Sequence, residues 1–153
     1  MILEKLSLYM DVCCLNRPFD DQSQDRVYLE SEAILSILAI CQGGRFDLVH
    51  SDIIDLELSK LANGSKQKKI CALHSVATRI LRAVPEIFTL SEIFQKNGIK
   101  PMDSLHLAIV EHFGIDVLLT TDDQFERMAK RLRIKSRVVN PVIWLMEVLR
   151  NEQ

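Results

Sequence analysis

The sequence predicts an α/β domain: a three-layer α/β/α sandwich with a central, mainly parallel sheet. Three observations carry that expectation. Short apolar runs such as Leu6–Met10 and Val117–Thr121 are continuous rather than alternating, as strands covered on both faces require. Longer segments with helical apolar spacing separate these runs, the alternation expected of parallel strands joined by crossover helices. Two of the runs end in acid, at Asp11 and at Asp122-Asp123, and the C-terminal edge of an open α/β sheet is where ligands bind.

At 153 residues and 48% hydrophobic composition, the chain fits one globular domain over residues 1–153 that buries its core without disulfides or a structural metal. Its 19 Lys and Arg against 21 Asp and Glu give a formal charge of −2, which excludes a bulk polycationic nucleic-acid binder. Any affinity for nucleic acid has to come from local basic patches. Cys13, Cys14, Cys41 and Cys71 show no Cys-x-x-Cys spacing, so reduced thiols in a cytoplasmic protein are expected. The N-terminus has no basic region followed by an apolar core and cleavage site, and no apolar run approaches the ~20 residues that span a bilayer. Neither export nor a membrane is implied.

The first strand delivers Asp11, and Asn16-Arg17-Pro18 after it reads as a turn. Val27, Ile34, Ile37, Leu38 and Cys41 mark a helix of about 16 residues ending before Gly43-Gly44. Phe46–His50 is a second strand, and Ser51 or Asp52 caps the next helix, which carries Asp55, Glu57 and Lys60. After Asn63-Gly64-Ser65, Ile70, Leu73, Val76, Ala77 and Leu81 form an apolar stripe that predicts a helix from Lys66 to about Arg82. Leu81–Val84 and Ile87–Leu90 are expected to be extended, Ser91–Gln95 a short helix, and Pro101–His112 a strong helix closed by Gly114. Val117–Thr121 is a buried strand, Phe125–Leu132 a helix, Val138-Val139 a short strand and Pro141–Leu149 a terminal helix.

In a right-handed parallel arrangement, Asp11 and Asp122 fall on the same sheet edge although far apart in sequence. Asp103 opens a helix whose N-terminus favours an ionised carboxylate. Glu57 lies roughly one turn into its helix and can point back to the same edge. Crowded carboxylates take up protons unless a cation neutralises them, and Mg²⁺ or Mn²⁺ suits an all-oxygen site. The chemistry such a site supports is phosphodiester hydrolysis by a metal-activated water, without a protein nucleophile. Taken one at a time, Asp103 and Asp122 also suit helix caps, and Glu57 a solvated helix face.

Four segments carry a resemblance: Tyr9-Met-Asp11, Ser51-Asp-Ile-Ile-Asp-Leu-Glu57, Met102-Asp103-Ser-Leu-His-Leu-Ala108 and Leu119-Thr-Thr-Asp122-Asp-Gln-Phe125. In order, spacing and context they resemble the PIN-domain nucleases over nearly the whole chain. The resemblance implies that Asp11, Glu57, Asp103 and Asp122 are the catalytic acids and metal ligands, with Ser51 and Thr120 supporting them by hydrogen bonds. It also implies a Mg²⁺- or Mn²⁺-dependent endoribonuclease acting on RNA, plausibly a toxin of the VapC type with a protein antitoxin, and a homodimer. Cys13 departs from the small polar residue the family often places two positions after the first acid. Asp55 and Asp123 stand close enough to the second and fourth acids to compete for their assignments.

Asn16 and Arg17 are candidates to border the cleft, Arg17 by holding a phosphate, although a surface turn accounts for both. Arg127, Lys130, Arg131, Arg133, Lys135 and Arg137 could track an RNA backbone or form a solvated face. His106, three residues after Asp103, reads as a hydrogen-bonded structural residue rather than a catalytic one. The rival from another class is a non-catalytic RNA-binding or interaction module with the same fold. A phosphatase is disfavoured because no Gly-rich phosphate loop and no Asp-x-Asp pair follow the first strand.

Overall fold

Five parallel strands, β1 (Ser7–Met10), β2 (Asp47–Ser51), β3 (Arg79–Leu81), β4 (Val117–Leu119) and β5 (Arg137–Val139), form a single sheet in the order β3-β2-β1-β4-β5. The structure is a computed structural model describing residues 5–151. Around the sheet lie α1 (Val12–Asn16), α2 (Asp25–Gln42), α3 (Asp52–Ser59), α4 (Gly64–Leu73), α5 (Pro85–Lys96), α6 (Pro101–His112), α7 (Asp123–Ala129) and α8 (Pro141–Asn151). The predicted α/β fold with a central parallel sheet is what these residues adopt.

β1 lies at the centre, with Leu8, Tyr9 and Met10 fully buried, because a strand covered on both faces cannot alternate with water. Its register against β4 is set at the opposite edge from Asp11. There the Ser7 N–H and hydroxyl both donate to Asp116 Oδ2, at 2.8 and 3.0 Å. The chain leaves β1 toward β2 and β3 on one side and comes back to place β4 and β5 on the other. That reversal opens a crevice beyond the C-terminal ends of β1 and β4, the position where open α/β sheets bind ligands.

Local structure differs from expectation in three places. Asn16-Arg17-Pro18 is not a simple turn after the strand: Val12–Asn16 is helical, capped by Asp11, and Arg17–Phe19 continues as a 3₁₀ turn. The helix expected from Lys66 to Arg82 ends at Leu73, followed by a 3₁₀ turn over His74–Val76 and then β3. Pairing with β2 decides the switch: the Thr78 N–H donates to the Leu48 carbonyl, and Leu81 is buried beside Ser51. Ile87–Leu90 is helical rather than extended. Pro85 occupies the first helical position, where its missing N–H costs nothing, and Glu86 complements the positive end.

The connection between α5 and α6 sets up the site. Gly98 takes φ +96°, a left-handed conformation suited to glycine after a helix, and turns the chain so that Lys100 and Pro101 open α6 at the crevice. Among the described residues no helix is long and apolar enough to cross a membrane.

Candidate active site

Asp11, Glu57, Asp103 and Asp122 line one cleft of about 300 Å³, together with Cys13, Lys100 and Met102. Each acid arrives from a different part of the chain: the end of β1, the second turn of α3, the first turn of α6 and the N-cap of α7. The cleft sits at the C-terminal edge of the sheet, where β1 and β4 run side by side.

Asp11 is 2% exposed and caps α1, its Oδ1 accepting the Cys14 N–H at 3.0 Å and the Cys13 thiol at 2.9 Å. Burial holds its carboxyl well above the usual carboxylate range. Asp122 also caps a helix: its Oδ1 accepts the N–H groups of Gln124 and Phe125 at 2.9 and 3.1 Å. Its own N–H donates to Thr120 Oγ1 at 3.1 Å. Capping and lining the cleft are therefore compatible, because a carboxylate has a second oxygen.

Asp103 is not a cap; the N-cap of α6 is Lys100, which makes no side-chain cap bond. Burial, then the neighbouring charges of Asp11 and Asp122, push the Asp103 carboxyl up to about 7. Glu57 is half-buried, and its Oε1 lies 2.7 Å from His106 Nε2. His106 is itself fully buried, with Nδ1 2.6 Å from the Tyr9 hydroxyl, which also lies 2.7 Å from Ser51 Oγ.

The two competing acids face elsewhere. Asp55 is exposed and paired with His50 Nε2 at 2.8 Å, and Asp123 is held by both terminal nitrogens of Arg26 at 2.7 Å each. Ser51 caps α3 through the Ile54 N–H and hydrogen-bonds the Tyr9 hydroxyl. Thr120 Oγ1 lies 3.3 Å from Cys13 Sγ and braces Asp122. Cys13 thus occupies the small-polar position with a thiol that does bond to Asp11.

Asn16 and Arg17 are not among the residues that line this cleft. Asn16 Nδ2 donates to Asp20, and Arg17 pairs with Asp20 at 3.3 Å and with the buried Glu30 at 2.9 Å. The basic stretch is exposed, but Lys130 pairs with Glu126 and Arg137 forks onto Glu147. Sequence reasoning passed over one residue at the site, Lys100, and read another, His106, as structural only. Lys100 brings a cation to the cleft wall. His106 stands behind Glu57, and its spacing of three from Asp103, which puts both near one helix face, was the available signal.

The donor chemistry fits a hard divalent cation. Four carboxylates supply oxygen ligands. The Asp103 carboxyl is raised first by burial and then by the neighbouring charges of Asp11 and Asp122, the second of which a cation would offset. Among the described residues no three His, Cys, Asp or Glu groups are drawn together as a ready-made metal-ligand cluster.

Comparison with known proteins agrees with this fold. No curated protein matches the chain. Among solved structures, the fold is similar to VapBC2 from Rickettsia felis, a structure bound to a DNA fragment from their promoter, at TM-score 0.56 and 14% identity over 88% of this chain and 98% of that one. It is also similar to PAE2754 from Pyrobaculum aerophilum, at TM-score 0.55 and 13% identity over 93% of this chain and 90% of that one. The PIN domain family model matches residues 9–131, a span that contains all four acids. The chain belongs to the PIN domain family.

Proposed function

We propose that the chain is a metal-dependent endoribonuclease, with Asp11, Glu57, Asp103 and Asp122 as ligands for Mg²⁺ or Mn²⁺. The observation that carries the reading is the convergence of four acids, from four separate segments, on one cleft where Asp103 is pushed up to about 7. A divalent cation held there supplies Lewis-acid activation of a phosphoryl oxygen and of the attacking water. Asp11 and Asp122 present carboxylates whose rotamers are fixed by helix caps, and Glu57 presents one fixed by His106. Lys100, on the same cleft wall, offers a cation to a phosphate of the substrate. RNA as the substrate rests on the family resemblance.

The biological role that fits is the toxin of a toxin–antitoxin pair, soluble in the cytoplasm, working as a homodimer and held by a protein antitoxin. Support comes from the family and from the likeness of fold to a protein named VapBC2. The test is cleavage of a mixed panel of structured and single-stranded RNAs with Mn²⁺, Mg²⁺ or EDTA, beside Asp11→Asn and Asp103→Asn. Metal-dependent cleavage lost in both variants supports the nuclease. Cleavage that survives both substitutions refutes the assigned site, and no cleavage by any form favours a binding module.

A further inference from the structure

The strongest arrangement not accounted for by the four acids is the buried chain of polar groups behind Glu57. Tyr9 and Ser51 come from adjacent strands, β1 and β2, and His106 from α6, so the three meet only through the tertiary fold. All three side chains are fully buried, and the contacts between them measure 2.7 Å (Ser51 to Tyr9), 2.6 Å (Tyr9 to His106) and 2.7 Å (His106 to Glu57).

Hydrogen-bond bookkeeping gives this chain a direction. A carboxylate accepts only, so His106 Nε2 carries the proton that it donates to Glu57 Oε1. Nδ1 then accepts from the Tyr9 hydroxyl, which burial keeps a phenol by pushing its pKa well above the ordinary value. The Tyr9 oxygen accepts from the Ser51 hydroxyl, whose lone pair in turn accepts the Ile54 N–H at 3.1 Å. In this arrangement every donor along the line meets an acceptor. The opposite direction leaves the Ser51 hydroxyl proton without a partner among these groups.

We propose that His106 is a positioning residue: through the line Ser51–Tyr9–His106 the sheet fixes the orientation of Glu57 at the mouth of the acidic cleft. This rests on the reading of Glu57 as a metal ligand. Glu57 needs such a brace more than Asp11 or Asp122, because it has an extra rotatable bond, is 32% exposed and has no helix cap to hold it. The physical effect is that of an outer-shell partner, which sets the direction of a ligand without touching the metal.

Two isosteres separate the ends of the imidazole. His106→Gln places an amide N–H near the position of Nε2 and keeps the donor to Glu57, whereas His106→Asn keeps only a group near Nδ1, facing Tyr9. Mn²⁺ affinity is measured by calorimetry on the folded full chain for wild type, both variants, Tyr9→Phe and Glu57→Gln, each checked by thermal unfolding. His106→Asn is expected to weaken Mn²⁺ about 10- to 100-fold, while His106→Gln stays within about threefold of wild type. In the Glu57→Gln background His106→Asn should cost nothing further. Equal losses for Gln and Asn that track their melting temperatures, or undiminished binding by His106→Asn, overturn the positioning role. If His106→Asn does not fold, Tyr9→Phe carries the test: it removes the donor to Nδ1, and unchanged Mn²⁺ affinity overturns the proposal. Wild type that binds no Mn²⁺ overturns the metal site itself, a separate result. A readout without metal is the ¹⁵N spectrum of the His106 ring, expected to show the Nε2-protonated tautomer in wild type and to change in Glu57→Ala; the other tautomer in wild type refutes the line.

Discussion

Replacing Asp103 by Asn should stabilise the metal-free protein at high pH and destroy its response to metal. The Asp103 carboxyl is raised from its ordinary 3.8 to about 7, first by burial and then by Asp11 and Asp122. Between those values the folded chain holds a proton that the unfolded chain has lost, so stability falls as pH rises through this window and is fully lowered above about 7. The full difference corresponds to ~4 kcal/mol, and solvent reaching the cleft side of the residue reduces it to ~1–2 kcal/mol. Asn keeps the shape and cannot ionise, so the variant escapes that penalty. For a chain of this length, it should melt ~3–6 °C above wild type at pH 8 in EDTA and close to wild type near pH 4. Adding Mn²⁺ to about 100 times its dissociation constant should raise wild type by ~2.7 kcal/mol and the variant by much less, reversing the order. Thermal and urea unfolding across pH 4–8, with EDTA or Mn²⁺, measure both effects. An Asn variant no more stable than wild type at pH 8 in EDTA, or an advantage that grows toward pH 4, refutes the electrostatic account.

Ser51→Ala removes the α3 cap and the hydroxyl that feeds Tyr9, so urea unfolding should show a loss of ~1–3 kcal/mol. Arg17→Ala strips one partner from the buried Glu30, which Arg26 and Asn140 also hold, and is expected to cost ~1–3 kcal/mol of stability with RNA affinity little changed. A filter-binding assay that showed the reverse pattern would restore Arg17 as a phosphate contact. Asp122→Asn retains the α7 cap and Asp122→Ala loses it, so unfolding should separate the two by ~1 kcal/mol, while RNA cleavage falls in both.

The strands that matter most were legible because each is a short apolar run ending at a polar residue, and both neighbours of β1 could be found that way. The end of α4 was not. Ile70, Leu73 and Val76 continue at a spacing of three through a helix and into a 3₁₀ turn, and Leu81 fits the same stripe while lying in β3. Periodicity cannot distinguish these states when the deciding term is pairing with Val49–Ser51, a long-range contact. The helical start at Pro85 did carry a local signal, proline followed by Glu86, which the apolar run Ile87–Leu90 masked.

At the site, Asp11, Asp103 and Asp122 were legible because each stands at or near the start of a helix, and Glu57 lies a turn further into its own, but their neighbours were separable only in three dimensions. Asp55 and Asp123 are held away from the cleft by His50 and Arg26, partners that no local pattern would have assigned to them. Capping a helix and lining the cleft, alternatives when read from the sequence, coincide at two of the acids. Asp11 and Asp122 give Oδ1 to helix N-termini, which fixes the carboxylate plane and so aims the other oxygen. Asp103 is not itself a cap, and its carboxyl is raised by burial first and by Asp11 and Asp122 after it. Glu57, the longest of the four, is held by His106. The clue to that last support was Tyr9: a phenol in the middle of a fully buried aliphatic strand has to find a hydrogen-bond partner, and here it finds two. Because the capped acids owe their rotamers to backbone N–H groups, Asn can replace Asp11 or Asp122 and keep the fold while deleting the charge. Loss of activity in such variants therefore reports on ligation rather than on folding.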